Sequence, residues 1–128
     1  MLKSYLIRIG VERENVSTYK GMRTAEVIDV TVDGVPLQPR LDLRALSSDG
    51  YEWGYVGSGP YQLALDILAH EVGDRRALGN YRSFCENTIA RLKADSWVLE
   101  GDQIEMSLQG VVEVDMTLEE LLNKVRGI

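Results

Sequence analysis

Cysteine and histidine are almost missing from this sequence, which contains one of each, Cys85 and His70. A single cysteine cannot form an internal disulfide, and a chain with one free thiol fits a reducing compartment. One histidine and one cysteine also fall short of the four ligands that structural zinc usually takes, so we predict no metal site. Cys85 lies in an apolar stripe at helical spacing, which indicates packing rather than reactivity.

Long hydrophobic runs are also absent. No apolar run approaches the roughly 20 residues needed to cross a bilayer, and the N-terminal stretch MLKSYLIRIG lacks the apolar centre and cleavage site of a signal peptide. These absences predict no membrane association and a cytoplasmic location. With 128 residues, 45% of them hydrophobic, and no linker or repeat, the chain is expected to form a single domain, residues 1–128.

Positive charge is scarce overall but concentrated in one segment. The net charge of -6 and the pI near 4.8 argue against binding of free nucleic acid, because phosphate neutralisation needs a cationic surface. Between residues 75 and 93, however, five cations accompany a single acid, Glu86. The arginines of this segment predict either a solvated face or a surface for an acidic or phosphate-bearing partner: Arg75, Arg76, Arg82 and Arg91.

Alternating patterns in the first half predict strands. Residues 4–9 (SYLIRI) and residues 26–43 (EVIDVTVDGVPLQPRLDL) place apolar and polar side chains on opposite faces. Within the second stretch, Asp33-Gly34 predicts a two-residue hairpin turn, because both residues tolerate positive φ. Two prolines follow this turn and cannot donate hydrogen bonds to a sheet, so the return strand should be irregular or at an edge.

Further strands are predicted later in the chain. After the hairpin, Leu41 and Leu43 are expected to point inward, and Trp97–Leu99 and residues 111–115 are short strand candidates. One more strand is predicted from aromatic residues that would share a face: Tyr51, Trp53 and Tyr55.

The spacing of apolar residues changes to 3.6 at Pro60, which predicts helices. The first helix should run to Val72 and end at Gly73 in a left-handed conformation. Asp74 can cap a second helix whose apolar stripe continues to Leu92. Residues 102–108 and a segment from Thr117 are candidates for short helices. The predicted fold is α+β, with a mainly antiparallel three- to five-stranded sheet, two long helices packed on one face and a short C-terminal helix.

The junction between the aromatic stretch and the first helix is a candidate anion site. We call Gly57–Pro60 the corner. A helix N-terminus presents unpaired N–H groups and a partial positive charge, and glycines let a ligand approach them closely: Gly57, Ser58 and Gly59 meet this requirement. With Gly59 at the N-cap, the Gln62 side chain could reach back to the cap. The alternative is a strand-to-helix turn that needs glycine and proline only for its geometry.

Other residues could complete such a site. Arg23 and Arg40 could form a bidentate clamp on an anion, or pair on the surface with carboxylates such as Asp42 or Glu26. The aromatic pair Trp53 and Tyr55 could stack on a ring, or belong to the core.

The first helix also carries a polar line at a spacing of four residues. Gln62, Asp66 and His70 lie along it, and an aspartate four residues before a histidine can orient the imidazole, so a histidine-based acid–base site is one interpretation. A solvated helix face is the other.

Several stretches resemble a known family. YKGMRTA (19–25), VTVDGVPLQPRLDL (30–43), EWGYVGSGPYQLALDIL (52–68) and YRSFCENTIARLKADSWVL (81–99) are similar to a bacterial family of small proteins from plasmids, phages and other mobile elements, catalogued only as a domain of unknown function. The resemblance extends from about Tyr19 to Leu108. It implies a single small domain with no established activity and no assigned cofactor.

These observations lead to two functional hypotheses. We favour a non-catalytic binding or accessory protein of mobile-element type, with an anti-defence role among the options, that contacts a host protein or a nucleic-acid complex. The alternative is a small enzyme or sensor that binds a phosphorylated ligand at the corner. A converging set of Arg23, Arg40 or His70 at the corner would favour the second hypothesis, and an exposed patch would favour the first.

Overall fold

The computed structural model of the chain describes residues 16–109, and these residues form a four-stranded sheet with three helices. The strands are β1 (Thr18–Arg23), β2 (Ile28–Val32), β3 (Val35–Pro36) and β4 (Ser96–Glu100). They are arranged in the order β3-β2-β1-β4, and every neighbouring pair is antiparallel. The helices are α1 (Ser58–Val72), α2 (Asp74–Asn87) and α3 (Gly101–Leu108), with a 3-10 turn at Ile89–Arg91.

The hairpin between β2 and β3 forms where the sequence predicts it. Asp33 and Gly34 have φ values of 52° and 84°, and Val32 pairs with Val35 directly across the turn. Strand β3 is only two residues long and lies at the edge of the described sheet, because Pro36 has no N–H to donate. The prediction of an irregular return strand is confirmed.

The helices follow the predicted spacing, with shifted boundaries. Gly73 separates α1 from α2 with a φ of 93°, a conformation that favours glycine. Helix α1 begins at Ser58 with Gly57 as its N-cap, so the prediction of Gly59 as the cap is wrong. Gly73, not Asp74, caps α2, and the single helix expected to reach Leu92 instead ends at Asn87 and continues as the 3-10 turn.

The core lies between one face of the sheet and the helices. Tyr19 on β1 and Val30 and Val32 on β2 point to this face and join the buried residues of α1 and α2 in one cluster. The opposite face of the sheet is exposed, as the 56% accessibility of both Met22 and Val98 shows. The predicted α+β architecture, an antiparallel sheet with two long helices and a short one, is confirmed.

Residues 37–57 contain no regular secondary structure, which corrects two predictions. The aromatic residues Tyr51, Trp53 and Tyr55 do not form a strand: Trp53 is 1% exposed and Tyr55 is 51% exposed. Leu41, expected to point inward, is 51% exposed, whereas Leu43 packs against the core. We call residues 37–57 the connecting segment. It is held by side-chain contacts to α1 rather than by strand pairing.

The remaining secondary-structure predictions divide into two groups. The strand at Trp97–Leu99 and the helix at 102–108 are confirmed by β4 and α3. The predicted strands at 4–9 and 111–115 and the predicted helix from Thr117 lie outside the described residues. Within residues 16–109, no helix is both long and apolar enough to span a bilayer.

Candidate functional site at the two ends of helix α1

The corner is packed tightly against the connecting segment. Gly59 is buried, and a Cβ added to it would lie 3.0 Å from Cβ of Glu52 and 3.4 Å from the carbonyl oxygen of Gly50. The carbonyl of Gly57 accepts the first helical hydrogen bond, from the Tyr61 N–H at 2.9 Å. The glycine at position 59 therefore lies where two backbone segments approach each other closely.

Glu52 lies beside the first turn of α1. The Glu52 residue that contacts Gly59 accepts hydrogen bonds at its Oε1 from the Arg23 Nη2 at 2.7 Å and from the Trp53 N–H at 3.1 Å. Glu52 therefore fills the space beside Gly59 with its backbone and Cβ, while its carboxylate is paired with Arg23.

Arg23 is occupied by the connecting segment and by the residue before β4. Besides Glu52, it contacts Asp95 at 3.1 Å and the Trp53 carbonyl at 3.2 Å, and its guanidinium lies 4.5 Å from the Trp53 ring centroid. The hydrogen bond to Glu52 is the main cause of a raised Arg23 pKa. Arg23 fastens the end of β1 to the connecting segment.

Arg40 lies at the opposite end of α1. Its guanidinium forms two-pronged contacts, all at 3.0 Å, with the carboxylates of Asp42 and Asp74. These bonds, first of all those to Asp42, raise the pKa of Arg40. Because a helix of 15 residues is about 20 Å long, Arg23 and Arg40 do not converge on the corner.

The two aromatic candidates have different environments. Trp53 is in the core, where its Nε1 donates to the Ala94 carbonyl at 2.9 Å and its ring meets Trp97 edge-on with centroids 5.5 Å apart. Tyr55 is exposed, and its ring lies against Gly57. The structure supports the core interpretation for Trp53 and does not bring the two rings together as a platform.

Gln62 and Asp66 form a buried polar network, which corrects the interpretation of their polar line as a solvated face. Each is 1% exposed. The Gln62 Oε1 accepts from the N–H groups of Leu46 at 2.7 Å and Ser47 at 3.1 Å, and its Nε2 donates to Asp66 at 3.1 Å. Gln62 therefore anchors the connecting segment and does not reach back to the helix cap.

Asp66 completes this network. Its Oδ2 accepts from the Tyr51 hydroxyl at 2.6 Å, and its Oδ1 accepts from the Arg40 N–H at 3.1 Å as well as from Gln62. Burial raises the Asp66 pKa, and the hydrogen bonds, first of all the one from Tyr51, oppose that shift. The carboxyl group is thus committed to holding the connecting segment on α1.

His70 belongs to a different cluster, which the sequence does not reveal. The Tyr19 hydroxyl lies 2.7 Å from the His70 Nδ1 and donates to the Glu71 Oε1 at 2.8 Å, and the Tyr19 and His70 rings meet edge-on at 5.5 Å. Burial and the contact with Glu71 raise the Tyr19 pKa. We call Glu71, Tyr19 and His70 the His70 relay. Tyr19 is 51 residues from His70 in sequence, and no local pattern links them.

The relay borders an open groove. A groove of about 420 Å³ lies between the β2–β3 hairpin and the C-terminal half of α1. Its polar residues are Asp33, Gln38, Arg40, Asp66 and His70, and its apolar wall consists of Val32, Val35, Pro36 and Leu37. The groove brings together three residues singled out in the sequence, Arg40, Asp66 and His70, at a place distant from the corner.

The predicted basic surface is exposed on α2 and the 3-10 turn. Arg76 pairs with Glu105 at 2.7 Å, and Arg82 donates to the Tyr81 hydroxyl at 3.3 Å with its guanidinium 5.7 Å from that ring centroid. Among residues 16–109, no ion pair involves Arg75, Arg82 or Arg91.

Two further observations concern the single cysteine and the groups that could bind a metal ion. Cys85 is buried, and burial raises the pKa of its thiol to about 11, so little thiolate forms near neutral pH. In the part of the chain that the structure describes, no group of three His, Cys, Asp or Glu side chains could hold a metal ion.

Comparison with known proteins gives one match. The model of DUF6166, a family of unknown function, matches residues 19–110. No curated protein and no solved structure matches the chain.

Proposed function

The chain belongs to the DUF6166 family, a family of unknown function, and we propose from its own surfaces that it is a non-catalytic binding protein. It acts through contact with a host protein or a nucleic-acid complex, as an accessory or anti-defence factor of a mobile element. The accessory role rests on the sequence resemblance, and the contact role rests on the basic face described next.

The observation that supports contact is the outer face of α2. Arg75 and Arg82 are seven residues apart, which places them two turns apart on one side of the helix. Leu78 lies between them and is 38% exposed. An exposed apolar side chain between two exposed arginines is the composition of an interaction surface in an otherwise acidic chain.

The alternative of a phosphorylated ligand at the corner has less support. Both candidate arginines already hold carboxylates, and the first turn of α1 lies against Glu52. A phosphate would have to displace these acids before it gained an arginine partner, and the helix dipole alone contributes only about 0.3–1 kcal/mol.

The basic face can be tested by affinity purification from the native host with Arg75→Glu/Arg82→Glu and a matched control, Lys20→Glu/Arg44→Glu. Both double variants change the net charge equally, and all four side chains are exposed. We expect mass spectrometry to identify proteins that the wild type and the control retain and the α2 variant loses. Nuclease treatment of the lysate distinguishes a protein contact from one that depends on nucleic acid. Equal retention by both variants would contradict the proposed surface.

A further inference from the structure

The hydrogen bonds of the His70 relay favour one placement of the imidazole proton. The Tyr19 hydroxyl has one proton, and it is donated to Glu71, whose carboxylate accepts it. With this assignment, the contact between Tyr19 and the His70 Nδ1 runs from the imidazole N–H to the hydroxyl oxygen. The favoured tautomer of neutral His70 has Nδ1 protonated and a lone pair on Nε2.

The Nε2 acceptor has no partner among the described residues. His70 is exposed and lines the groove, so a bound molecule can reach its ring. The opposite wall is apolar: Val32 and Leu37 are buried, whereas Val35 is 60% exposed. A volume of about 420 Å³ with an apolar wall and a few polar groups is the composition of a small-molecule site.

The charges around the groove select the kind of molecule. Asp33 and Asp66 line it, Asp42 and Asp74 lie behind Arg40, and Glu71 lies behind Tyr19. Among residues 16–109, Arg40 is the one permanent cation in the lining, and two carboxylates already hold it. An anionic ligand would face this excess of negative charge, whereas a cation would be attracted by it.

We propose that this groove binds a small organic amine, with its apolar body against the hairpin wall and its ammonium group donating a hydrogen bond to the Nε2 of His70. Tyr19 is a positioning residue in this site, because it fixes the tautomer without contacting the ligand. The amine site does not depend on the basic face of α2, so an experiment can contradict one of the two proposals without affecting the other.

Three phenyl-bearing molecules of similar size and different charge test the proposal: 2-phenylethylamine, 2-phenylethanol and 3-phenylpropionate. Each is titrated into the isotopically labelled full-length protein at about pH 8, where free imidazole is neutral. We expect the amine to give saturable NMR shifts at the Val32 and Leu37 methyl groups and at the His70 ring. The carboxylate should bind at least about tenfold more weakly. Equal binding of all three, or no shift at these residues, would overturn the assignment.

Two variants and one spectroscopic measurement separate the ligand site from a structural role of the relay. His70→Phe keeps an aromatic ring beside Tyr19 and removes the acceptor, so it should abolish the preference for the amine. Tyr55→Phe, distant from the groove, should not.

Long-range ¹H–¹⁵N spectra should show His70 protonated at Nδ1 in the wild type and a mixture of tautomers in Tyr19→Phe. A wild-type His70 protonated at Nε2 would refute the proposal, since that nitrogen could not then accept a hydrogen bond.

Discussion

The two ends of helix α1 differ in how their polar groups are occupied. At the N-terminal end, Gly59 is packed against Gly50 and Glu52, and Arg23 is held by Glu52 and Asp95. At the C-terminal end, which has no recognisable motif, the relay lies beside an open groove, and one imidazole nitrogen of His70 has no partner within residues 16–109. The comparison shows that glycines before a helix allow an anion to approach only when no other segment of the chain takes that space.

The largest predicted effect comes from the network that holds the connecting segment on α1 between these two ends. Asp66→Ala leaves three donors without their acceptor, on Tyr51, Arg40 and Gln62. Because an unsatisfied buried donor costs about 1–3 kcal/mol, we expect the free energy of unfolding to fall by about 3–5 kcal/mol in urea denaturation. Asp42→Ala is the control, since it removes an exposed carboxylate that also bonds to Arg40, and its effect should be far smaller. Equal losses would mean that the buried network does not hold the segment.

The corner itself is tested by a pair of glycine substitutions with opposite expected signs. Gly59→Ala places a Cβ against Glu52 and should lower the free energy of unfolding by about 1 kcal/mol. Gly79→Ala lies within α2 with no atom within 4 Å of the new Cβ, so it should raise stability by about 1 kcal/mol through helix propensity. Chemical denaturation measures both. A stabilising Gly59→Ala would show that packing does not require the glycine there.

A smaller effect is expected when one hydrogen bond to Asp66 is removed. Tyr51→Phe deletes a bond that lowers the Asp66 pKa, so that pKa, already above its ordinary value of 3.8, should rise further. A carboxyl group with a raised pKa in the folded state adds stability below its unfolded pKa, and this stability is lost as pH rises through the folded value. The variant should therefore lose about 1 kcal/mol at neutral pH and less in acid. Carbon-13 titration of the Asp66 carboxyl group measures the shift, and an unchanged pKa would contradict this account.

The smallest expected effect is the response of the corner to anions. A ligand that binds only the folded state must raise the melting temperature. Because we expect no anion to bind at the corner, phosphate and nucleotides should raise the melting temperature no more than chloride at constant ionic strength. If phosphate raised the melting temperature of the wild type but not that of Arg23→Gln, the corner would be an anion site after all.

The elements predicted correctly are those encoded by neighbouring residues. The Asp33-Gly34 turn and the end of α1 at Gly73 depend on local backbone preference, and each appears at its expected place. Tyr51, Trp53 and Tyr55 stand at every second position, as the residues on one face of a strand do, but they do not form a strand. Tyr51 and Trp53 are anchored by their polar atoms to Asp66 and Ala94, which are distant in sequence, whereas Tyr55 remains exposed.

The sequence by itself determined the fold class, the hairpin, the helices and the concentration of arginines on α2, because these depend on periodicity, turn chemistry and composition. Only the tertiary structure decided which polar side chains are occupied by contacts within the fold and which are open to a ligand. Gln62 and Asp66 lie at the spacing of a solvated helix face, yet the connecting segment covers them and takes their hydrogen bonds. Tyr19 reaches His70 because β1 packs beside α1. Whether a polar side chain is open to a ligand depends on contacts between segments far apart in the chain, and local sequence patterns do not predict those contacts.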